Sequence, residues 1–424
     1  MTRVGSTSKE KKEVKNKKIS ESIKTTKKKR KHQKCTCYEL KINHRRLNAK
    51  QREALSMMFV EAKWLYNDVL NSGLHPSQYD DKTTTVMVKY PDGFRERQLQ
   101  YLSAPMKQKL LSNMSSSIKT LNTLKKKGKR VGALKFISEY TSIGLKQYTK
   151  THRFDFQRNR IRIQNIPGWV RVHGLRQIPK EAEIADARLI KRASGYYVKV
   201  TTFMDKNPAN EQEPLATVVG VDMGVATSLT LSNGYEFSAY VEEPERLKRL
   251  QRKLSKQSRS SNTYQKTRNR LEREYEKMGR RKDDVANKIV SEVLKNDLVF
   301  FQDELIGQWK RRWGRELHHG VLGRVKSRLN NAENAYMLDR SVATTQTCIC
   351  GKKNKIPLNQ RIYSCGCGRE LPRDVHSAQM MVVLGRALLP MGCREFTLVE
   401  NVDSWGSSEF CEHSMKPEAL TLQC

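Results

Sequence analysis

Three acidic residues lie at the ends or interruptions of apolar segments, and together they could bind metal ions. Asp222 interrupts an apolar stretch over 218–231, Glu304 follows the apolar run at 298–301, and Asp374 opens a final apolar helix. A carboxylate in an apolar strand costs free energy unless something compensates it, although a hydrogen-bonded structural Asp would look the same. Three carboxylate ligands suit Mg²⁺ or Mn²⁺, and two such ions could cleave a phosphodiester bond. Three unrelated acids remain the alternative.

Four cysteines form two close pairs late in the chain, namely Cys348 with Cys350 and Cys365 with Cys367. The chain has nine cysteines, an odd number, which favours metal ligation in a reducing compartment over a disulfide framework. Four thiolates are the ligand set of a closed structural zinc site. The pairs therefore predict Zn²⁺ with a structural role, and four free cysteines are the alternative.

The charge of the chain is strongly positive. Its 424 residues contain 81 Lys and Arg against 44 Asp and Glu, a formal net charge of +37. Charge of this size predicts a polyanionic partner, most simply a nucleic acid, and a basic membrane-surface protein is the alternative. There is no run of about 20 apolar residues and no signal-peptide core, so the sequence predicts a soluble, cytoplasmic protein without a membrane partner.

The elements that precede residue 215 predict a sheet with a helical insert. Residues 1–34 are rich in Lys and nearly free of apolar side chains, which predicts a disordered basic arm. Strand-like runs over 35–46 and 128–214 predict a small antiparallel barrel or sheet. Residues 47–127 lie between these runs and predict helices, with an irregular loop at 77–94.

Three basic segments of this half could contact phosphate groups: Lys27–Lys31, Lys125–Arg130 and Arg153–Arg160. The third segment interleaves cations with Phe154 and Phe156, a pattern that suits backbone charge combined with base stacking. An ordinary strand with one wet face produces the same pattern. The prediction is that Phe154 or Phe156 stacks on a base.

The elements that must position the three acids lie after a linker at 205–214. Residues 215–343 and 369–390 combine buried strands with charged helices, which predicts an α/β domain. The cysteine segment at 344–368 interrupts it, and the tail at 391–424 carries few helix or strand signals. If the elements that carry the acids are neighbours in the sheet, the carboxylates converge.

Four motifs, in this order, carry a resemblance to a known family: Gly220–Val225, Gln302–Leu305, Thr345–Cys348 with the cysteine pairs, and Arg373–Val375. They resemble the RuvC-type nuclease of the TnpB proteins and of the compact type V CRISPR effectors, over roughly residues 36–390. The resemblance implies a RuvC/RNase H-like domain with an inserted zinc ribbon. It also implies an N-terminal, wedge-like β-barrel that binds a guide and carries the helical recognition insert.

The resemblance also implies roles for single residues. Asp222 and Asp374 match the first and third catalytic acids. Glu304 is the expected second acid and Asp303 the alternative, since neighbours on a strand face opposite ways and only one can reach the metals. His376 stands where the family commonly has Asn, and we expect a packing or phosphate-side residue there. Where the family spaces its cysteines as Cys-x-x-Cys, both pairs here are Cys-x-Cys.

The function that the resemblance implies is RNA-guided cleavage of DNA. The guide RNA would supply sequence specificity, and the protein would read a short motif that flanks the double-stranded target. The expected cofactors are Mg²⁺ (or Mn²⁺) at the acids and Zn²⁺ at the cysteines, in a monomer or homodimer. The alternatives are a nuclease-inactive RNA-guided DNA-binding regulator and a guide-independent RuvC-type nuclease or recombinase.

Overall fold

The computed structural model describes residues 8–205, 217–225, 228–357, 359–386 and 389. The chain divides into two compact units, Met1–Ala209 and Asn210–Cys424, and each is described by itself. Nearly all of the predicted linker at 205–214, and the whole tail at 391–424, lie outside the described residues. No helix among the described residues is long and apolar enough to cross a membrane.

The first unit is a sheet of antiparallel strands with helices inserted near its start. In chain order its elements are α1 (Ser8–Lys31), β1 (Gln33–Ile42), α2 (Ala49–Asn71), β2 (Thr85–Tyr90), β3 (Gly93–Gln98), α3 (Ala104–Lys126), β4 (Ser142–Leu145), β5 (His152–Asp155), β6 (Arg160–Ile163), β7 (Val170–His173), β8 (Glu183–Arg192) and β9 (Gly195–Asp205). Short 3₁₀ turns cover His44–Arg46 and Leu175–Gln177.

Seven of these strands form one sheet in the order β4-β8-β9-β1-β7-β6-β5. The first strand, β1, lies in the middle, paired antiparallel with β9 from Gln33 opposite Asp205 to Lys41 opposite Tyr197. The segment between β1 and β4 is therefore inserted into the sheet. Within the described residues β4 and β5 end the sheet without pairing to each other, so closure into a barrel stays a prediction.

The basic N-terminal segment is a helix, so the prediction of a disordered arm is wrong over Ser8–Lys31. Its Lys and Glu residues are good helix formers even without an apolar face. The end of the helix is held by Glu183, which lies 2.9 Å from Lys29 and 2.6 Å from Arg30. These hydrogen bonds lower the pKa of Glu183 to about 2. Two of the cations predicted to contact phosphate therefore have a carboxylate partner within the protein.

The insert combines two helices with a hairpin. Asn48 caps α2 by a capping box, in which its side chain accepts from Gln51 N at 2.8 Å. Strands β2 and β3 pair across a turn at Pro91-Asp92, with Tyr90 opposite Gly93, so the predicted irregular loop at 77–94 is wrong from residue 85 onward. The alternating Thr85-Val-Met-Val sequence and the positive φ of Gly93 explain the hairpin.

Strand β5 turns Phe154 inward, where its ring lies beside Tyr148, His152 and Phe156. Phe154 is 9% exposed, so the prediction that it stacks on a base is wrong, whereas Phe156 is 43% exposed. The reason is strand alternation, which sends Phe154 to the core and its neighbour Arg153 to solvent. Phe156 alone of the two rings remains open to a nucleic acid.

The second unit is an α/β domain with a small cysteine-bearing hairpin. In chain order its elements are β10 (Val218–Met223), β11 (Leu229–Leu231), β12 (Glu236–Phe237), α4 (Glu245–Ser255), α5 (Asn262–Val293), β13 (Leu298–Gln302), α6 (Ile306–Trp309), α7 (Gly314–His319), α8 (Leu322–Leu329), β14 (Ala335–Leu338), β15 (Ile362–Ser364), β16 (Glu370–Pro372) and α9 (Arg373–Gly385).

Five strands form the main sheet in the order β12-β11-β10-β13-β14. Strand β10 is antiparallel to β11 but parallel to β13, which is in turn parallel to β14. Helices cover both faces: Phe301 packs in the cluster that includes Ile289 of α5, and Phe300 packs in the cluster that includes Met381 of α9. Burial on both faces explains the continuous apolar run of β13.

Two glycines let α9 lie close to the sheet. A Cβ on Gly220 of β10 would overlap the carbonyl oxygen of Ala378, and a Cβ on Gly385 would overlap the ring of Phe300. Gly220 therefore permits direct contact between the backbones of β10 and α9. This approach brings the start of α9, with Asp374 and Ser377, to the strand that carries Asp222.

Candidate active site and metal centre

The three acids predicted from the sequence lie on elements that meet at one edge of the sheet. Asp222 is near the end of β10, Glu304 follows β13, and Asp374 is in the first turn of α9. Strands β10 and β13 are parallel neighbours, so their carboxyl ends lie at the same edge, where ligands of α/β sheets usually bind. The fold therefore places the three acids on neighbouring elements, and their role as metal ligands stays a prediction.

The charges of the other two acids act on Asp222. The pKa of Asp222 is raised from 3.8 to about 7, mainly by burial, and the charges of Asp374 and Glu304 raise it further. Among the described residues, the three carboxylates do not form a group whose oxygens all lie within 4.8 Å of one another. A bound cation would relieve the repulsion that Asp374 and Glu304 exert on the charged form of Asp222.

Ser377 orients the most buried of the three acids. Its hydroxyl donates to Asp222 Oδ1 at 2.9 Å, which lowers the pKa of Asp222 against the effect of burial. Ser377 Oγ also lies 3.1 Å from Thr344 Oγ1, which donates to Gln302 Oε1 at 3.2 Å. Ser377 was not among the site residues predicted from the sequence. Its position three residues after Asp374 on a helix was the available signal, because such residues share a face.

The neighbouring acids Asp303 and Glu304 have different surroundings. The carboxylate of Asp303 accepts from Lys326 at 2.5 Å and from Arg340 at 3.2 Å, and the Lys326 bond lowers its pKa. Burial instead raises the pKa of Glu304, whose charge acts on Asp222. Asp303 is therefore paired with two cations, whereas the charge of Glu304 acts on Asp222.

Asp374 occupies a position that favours a negative charge. It is in the first turn of α9, where the positive end of the helix dipole stabilises a carboxylate. Arg361 Nη1 and Arg373 Nε each lie 3.9 Å from one of its oxygens. These separations are long for ion pairs, and the side chain of Arg361 is 61% exposed. The guanidinium of Arg361 thus stands beside Asp374 and is largely exposed to solvent.

The four cysteines converge as a metal site requires. All four Sγ atoms lie within 4.8 Å of one another, with Cys348 and Cys367 at 3.7 Å and Cys350 and Cys365 at 3.7 Å. A regular tetrahedron with Zn–S bonds of about 2.3 Å has edges of about 3.8 Å. The Cys-x-Cys spacing is therefore compatible with tetrahedral coordination.

Each cysteine pair lies within a tight turn that ends at a glycine. Gly351 N donates to Cys348 O at 2.9 Å, and Gly368 N donates to Cys365 O at 3.0 Å. The two glycines have φ of +82° and +91°, the left-handed conformation that glycine adopts without strain. These turns fold each short pair back so that both of its sulfur atoms face the other pair. Cys35 and Cys37, by contrast, lie exposed on β1 and belong to no such cluster.

His376 joins the cysteine hairpin to α9. It is fully buried, its ring stacks on Tyr363 at 3.4 Å between centroids, and its Nε2 lies 2.9 Å from Thr347 O. Burial lowers its pKa to about 4, so the ring is neutral at pH 7 and Nε2 donates to the carbonyl. Of the two roles expected for His376, packing and phosphate contact, the structure shows packing.

Comparison with known proteins gives one family match. A family model described as "Probable transposase", of the OrfB type of IS605, matches residues 198–297. The matched segment contains β10 with Asp222 and ends just before β13. The match therefore covers the beginning of the sheet that carries the candidate active site.

Two curated relatives extend this similarity. Both are named "Putative RNA-guided DNA endonuclease", and the first, from Escherichia coli K12, has the further designation InsQ. InsQ is 26% identical over 274 residues, which is 58% of this chain and 67% of that protein. The Streptomyces pristinaespiralis protein is 23% identical over 261 residues, 58% of this chain and 64% of that protein. The chain thus spans about two thirds of the length of each relative.

A solved structure, the cryo-EM complex of Cas12f1 with sgRNA and target DNA, resembles part of the chain. The match covers 64% of this chain and 70% of that one, with 14% identity and a TM-score of 0.30. At this TM-score the resemblance carries no argument about the arrangement of the elements.

Proposed function

We propose that this chain, a member of the TnpB family, is a metal-dependent RNA-guided DNA endonuclease whose acids are Asp222, Glu304 and Asp374. The observation that carries the proposal is the placement of these three carboxylates at one edge of the second unit's sheet, where Asp374 and Glu304 are close enough to raise the pKa of Asp222. The names of both curated relatives agree with this activity. All three acids are present, which disfavours a nuclease-inactive regulator.

The donor set of the site fits Mg²⁺ or Mn²⁺, because hard divalent cations prefer carboxylate oxygens. When bound, such ions activate a water and stabilise the leaving oxygen in phosphodiester cleavage. The residues of the chain prepare the site for them. Ser377 orients the Asp222 carboxylate and favours its charged form, while Lys326 holds Asp303 aside. The open guanidinium of Arg361 can contact the phosphate backbone beside Asp374.

The basic face of the first unit supports an RNA partner. Arg153 lies directly opposite Arg162 on the paired strands β5 and β6, and Arg160 lies opposite Arg171 on β6 and β7. Like charges in directly opposed positions destabilise a sheet. Among these four, Arg160 has an ion pair with Asp155, at 2.7 Å. A polyanionic backbone laid on this face would neutralise the opposed charges, as guide binding by this unit requires.

Removing the RNA is the test of the proposed function. Protein expressed with its native flanking DNA should co-purify with a structured RNA, since a net charge of +37 on a bare protein favours binding to nucleic acid. After nuclease treatment the protein should cleave no target DNA until that RNA is restored. Equally fast cleavage without RNA would establish a guide-independent RuvC-type nuclease instead. Dependence on a short motif beside the target would be measured in the same reconstituted system.

We also propose that the four cysteines hold one structural Zn²⁺. The support is the tetrahedral spacing of the four sulfur atoms in a hairpin with little core of its own. Purified protein should contain about one zinc per chain, and Cys350→Ser should lower both zinc content and melting temperature. Elemental analysis and thermal unfolding measure these effects, with Cys37→Ser on β1 as the matched control. Active protein without zinc would contradict the proposal.

Ser377→Ala should slow cleavage by about 10-fold or more at pH 7, which is the usual loss when an outer partner of a metal ligand is removed. Without the hydroxyl, the pKa of Asp222 should rise above its value of about 7, so a larger fraction is protonated at pH 7. The defect should therefore shrink as the pH is raised to about 9. Cleavage rates across this range, with guided DNA binding as the control, would measure it. A defect independent of pH would contradict the assigned role.

A further inference from the structure

We propose that a groove on the helical insert binds an unpaired base of the RNA carried by this chain. This inference rests on the proposed function. The groove has a volume of about 530 Å³ and lies between α2, the β2–β3 hairpin and the loop at 136–138. We call it the aromatic groove, and its lining residues that matter here are Lys63, Trp64, Lys89, Phe94 and Phe136.

The aromatic groove exposes an unusual amount of apolar surface. Phe136 is 65% exposed, Phe94 is 51% exposed, and Met87 beside them is 44% exposed. Trp64 of α2 lies partly buried in the wall of the groove. Three large exposed apolar side chains around one concavity favour a binding site over a solvent-facing surface. A groove of this volume is also within the range of pockets that hold one small ligand group.

The groove is held in shape before any partner binds. Both amide atoms of Asn67 bond to the backbone of Ile137: Nδ2 donates to the carbonyl at 2.9 Å, and Oδ1 accepts from the amide at 3.0 Å. This pair of bonds fixes the loop that carries Phe136. The ring is thus presented to solvent on an anchored backbone, which reduces the entropy lost on binding.

The charged residues that line the aromatic groove indicate the chemical class of its ligand. Lys63 and Lys89 line the groove, and none of its lining residues is acidic. Within the described part of the chain, neither lysine takes part in an ion pair. Aromatic faces with unpaired cations suit a planar group that carries an adjacent negative charge, which is a nucleobase with its phosphate. A second copy of this chain, itself basic, would meet charge repulsion here.

An unpaired RNA base fits this groove better than a DNA base. Folded RNA presents unstacked bases in loops and bulges, and proteins stack them on aromatic side chains. Duplex DNA must first flip a base out, at a cost of a few kcal/mol. We therefore assign an unpaired RNA base to the groove. Single-stranded DNA is the competing ligand, and the test must distinguish it from RNA.

Photocrosslinking of the reconstituted protein–RNA complex tests this proposal. RNA that contains 5-iodouridine should crosslink to peptides carrying Trp64, Phe94 or Phe136, as mapped by mass spectrometry. The double variant Phe94→Ala, Phe136→Ala should lose these crosslinks and bind RNA about 10-fold more weakly, without a change in the salt dependence of binding. Lys63→Ala with Lys89→Ala should instead reduce the slope of affinity against salt. Leu74→Ala, also 51% exposed but outside the groove, is the matched control.

The outcomes separate this inference from the proposed function. RNA-dependent cleavage without crosslinks in the groove would overturn the inference and leave the function standing. Equal RNA affinity of the double variant and the control would also overturn it, as would crosslinks to iodinated single-stranded DNA but not to RNA. A change in the mass of the assembled particle in the double variant would show that the groove binds a second copy. If the protein binds no RNA at all, both the proposed function and the groove assignment are wrong.

Discussion

Replacing Asp222 with asparagine is expected to abolish DNA cleavage while leaving guided DNA binding nearly unchanged. Asparagine keeps the shape of the side chain and can still accept from Ser377, but it cannot supply the charge that a divalent cation needs. Loss of an outer partner costs about 10- to 100-fold, so loss of a ligand should exceed about 100-fold. Cleavage and binding of a target duplex, measured with the same RNA, give the two readouts.

The same variant should be more stable than the wild type, which separates a lost charge from a lost fold. Because folding raises the pKa of Asp222 from 3.8 to about 7, the folded state loses stability as pH rises between these values. The penalty is complete above pH 7 and absent below 3.8. Asp222→Asn should therefore gain on the order of 2 to 4 kcal/mol at pH 8, and this gain should fall toward zero near pH 4.

Thermal unfolding in buffer without divalent cations measures this gain. Chelators should be omitted, because they would also remove zinc from the cysteine site. Near-normal cleavage by Asp222→Asn in Mg²⁺ would reject Asp222 as a metal ligand. A variant that is inactive but less stable at pH 8 would show that the side chain has a structural role instead.

Glu304→Gln and Asp303→Asn should differ strongly, although the two residues are adjacent. Glu304→Gln is expected to reduce cleavage by more than about 100-fold, since its carboxylate is the one that acts on Asp222. Asp303→Asn should keep most of the activity, because its carboxylate is already bound to Lys326 and Arg340. Each variant is the control for the other, with single-turnover cleavage as the measurement.

The reverse result would change the assignment of the second acid. If Asp303→Asn removed activity and Glu304→Gln did not, the Lys326 ion pair would have to open when metal binds. Equal and mild effects would mean that neither residue holds a cation. Lys326 Nζ also donates to the carbonyl of Glu304 at 2.7 Å, so a variant of Lys326 would disturb both residues and cannot replace this comparison.

Residue chemistry and local periodicity were sufficient for several features of this protein. The two cysteine pairs specify four thiolates, and the isolated acids specify hard oxygen ligands, whatever the fold. Asn48 predicts the start of α2 because its cap is a local interaction with Gln51. The charge of +37 indicates a polyanionic partner in the same way, since it depends on composition alone.

Other features depended on which segments pack together, which no local pattern contains. The different surroundings of Asp303 and Glu304 come from Lys326 of α8, which pairs with Asp303 and is distant from it in the sequence. Phe154 looks like a stacking residue in sequence, yet the sheet turns it into the core. Ser377 acquires its contact with Asp222 because Gly220 lets α9 lie against β10. Side-chain types set the available chemistry, and only the tertiary packing decides which groups meet, because such contacts join residues far apart in the chain.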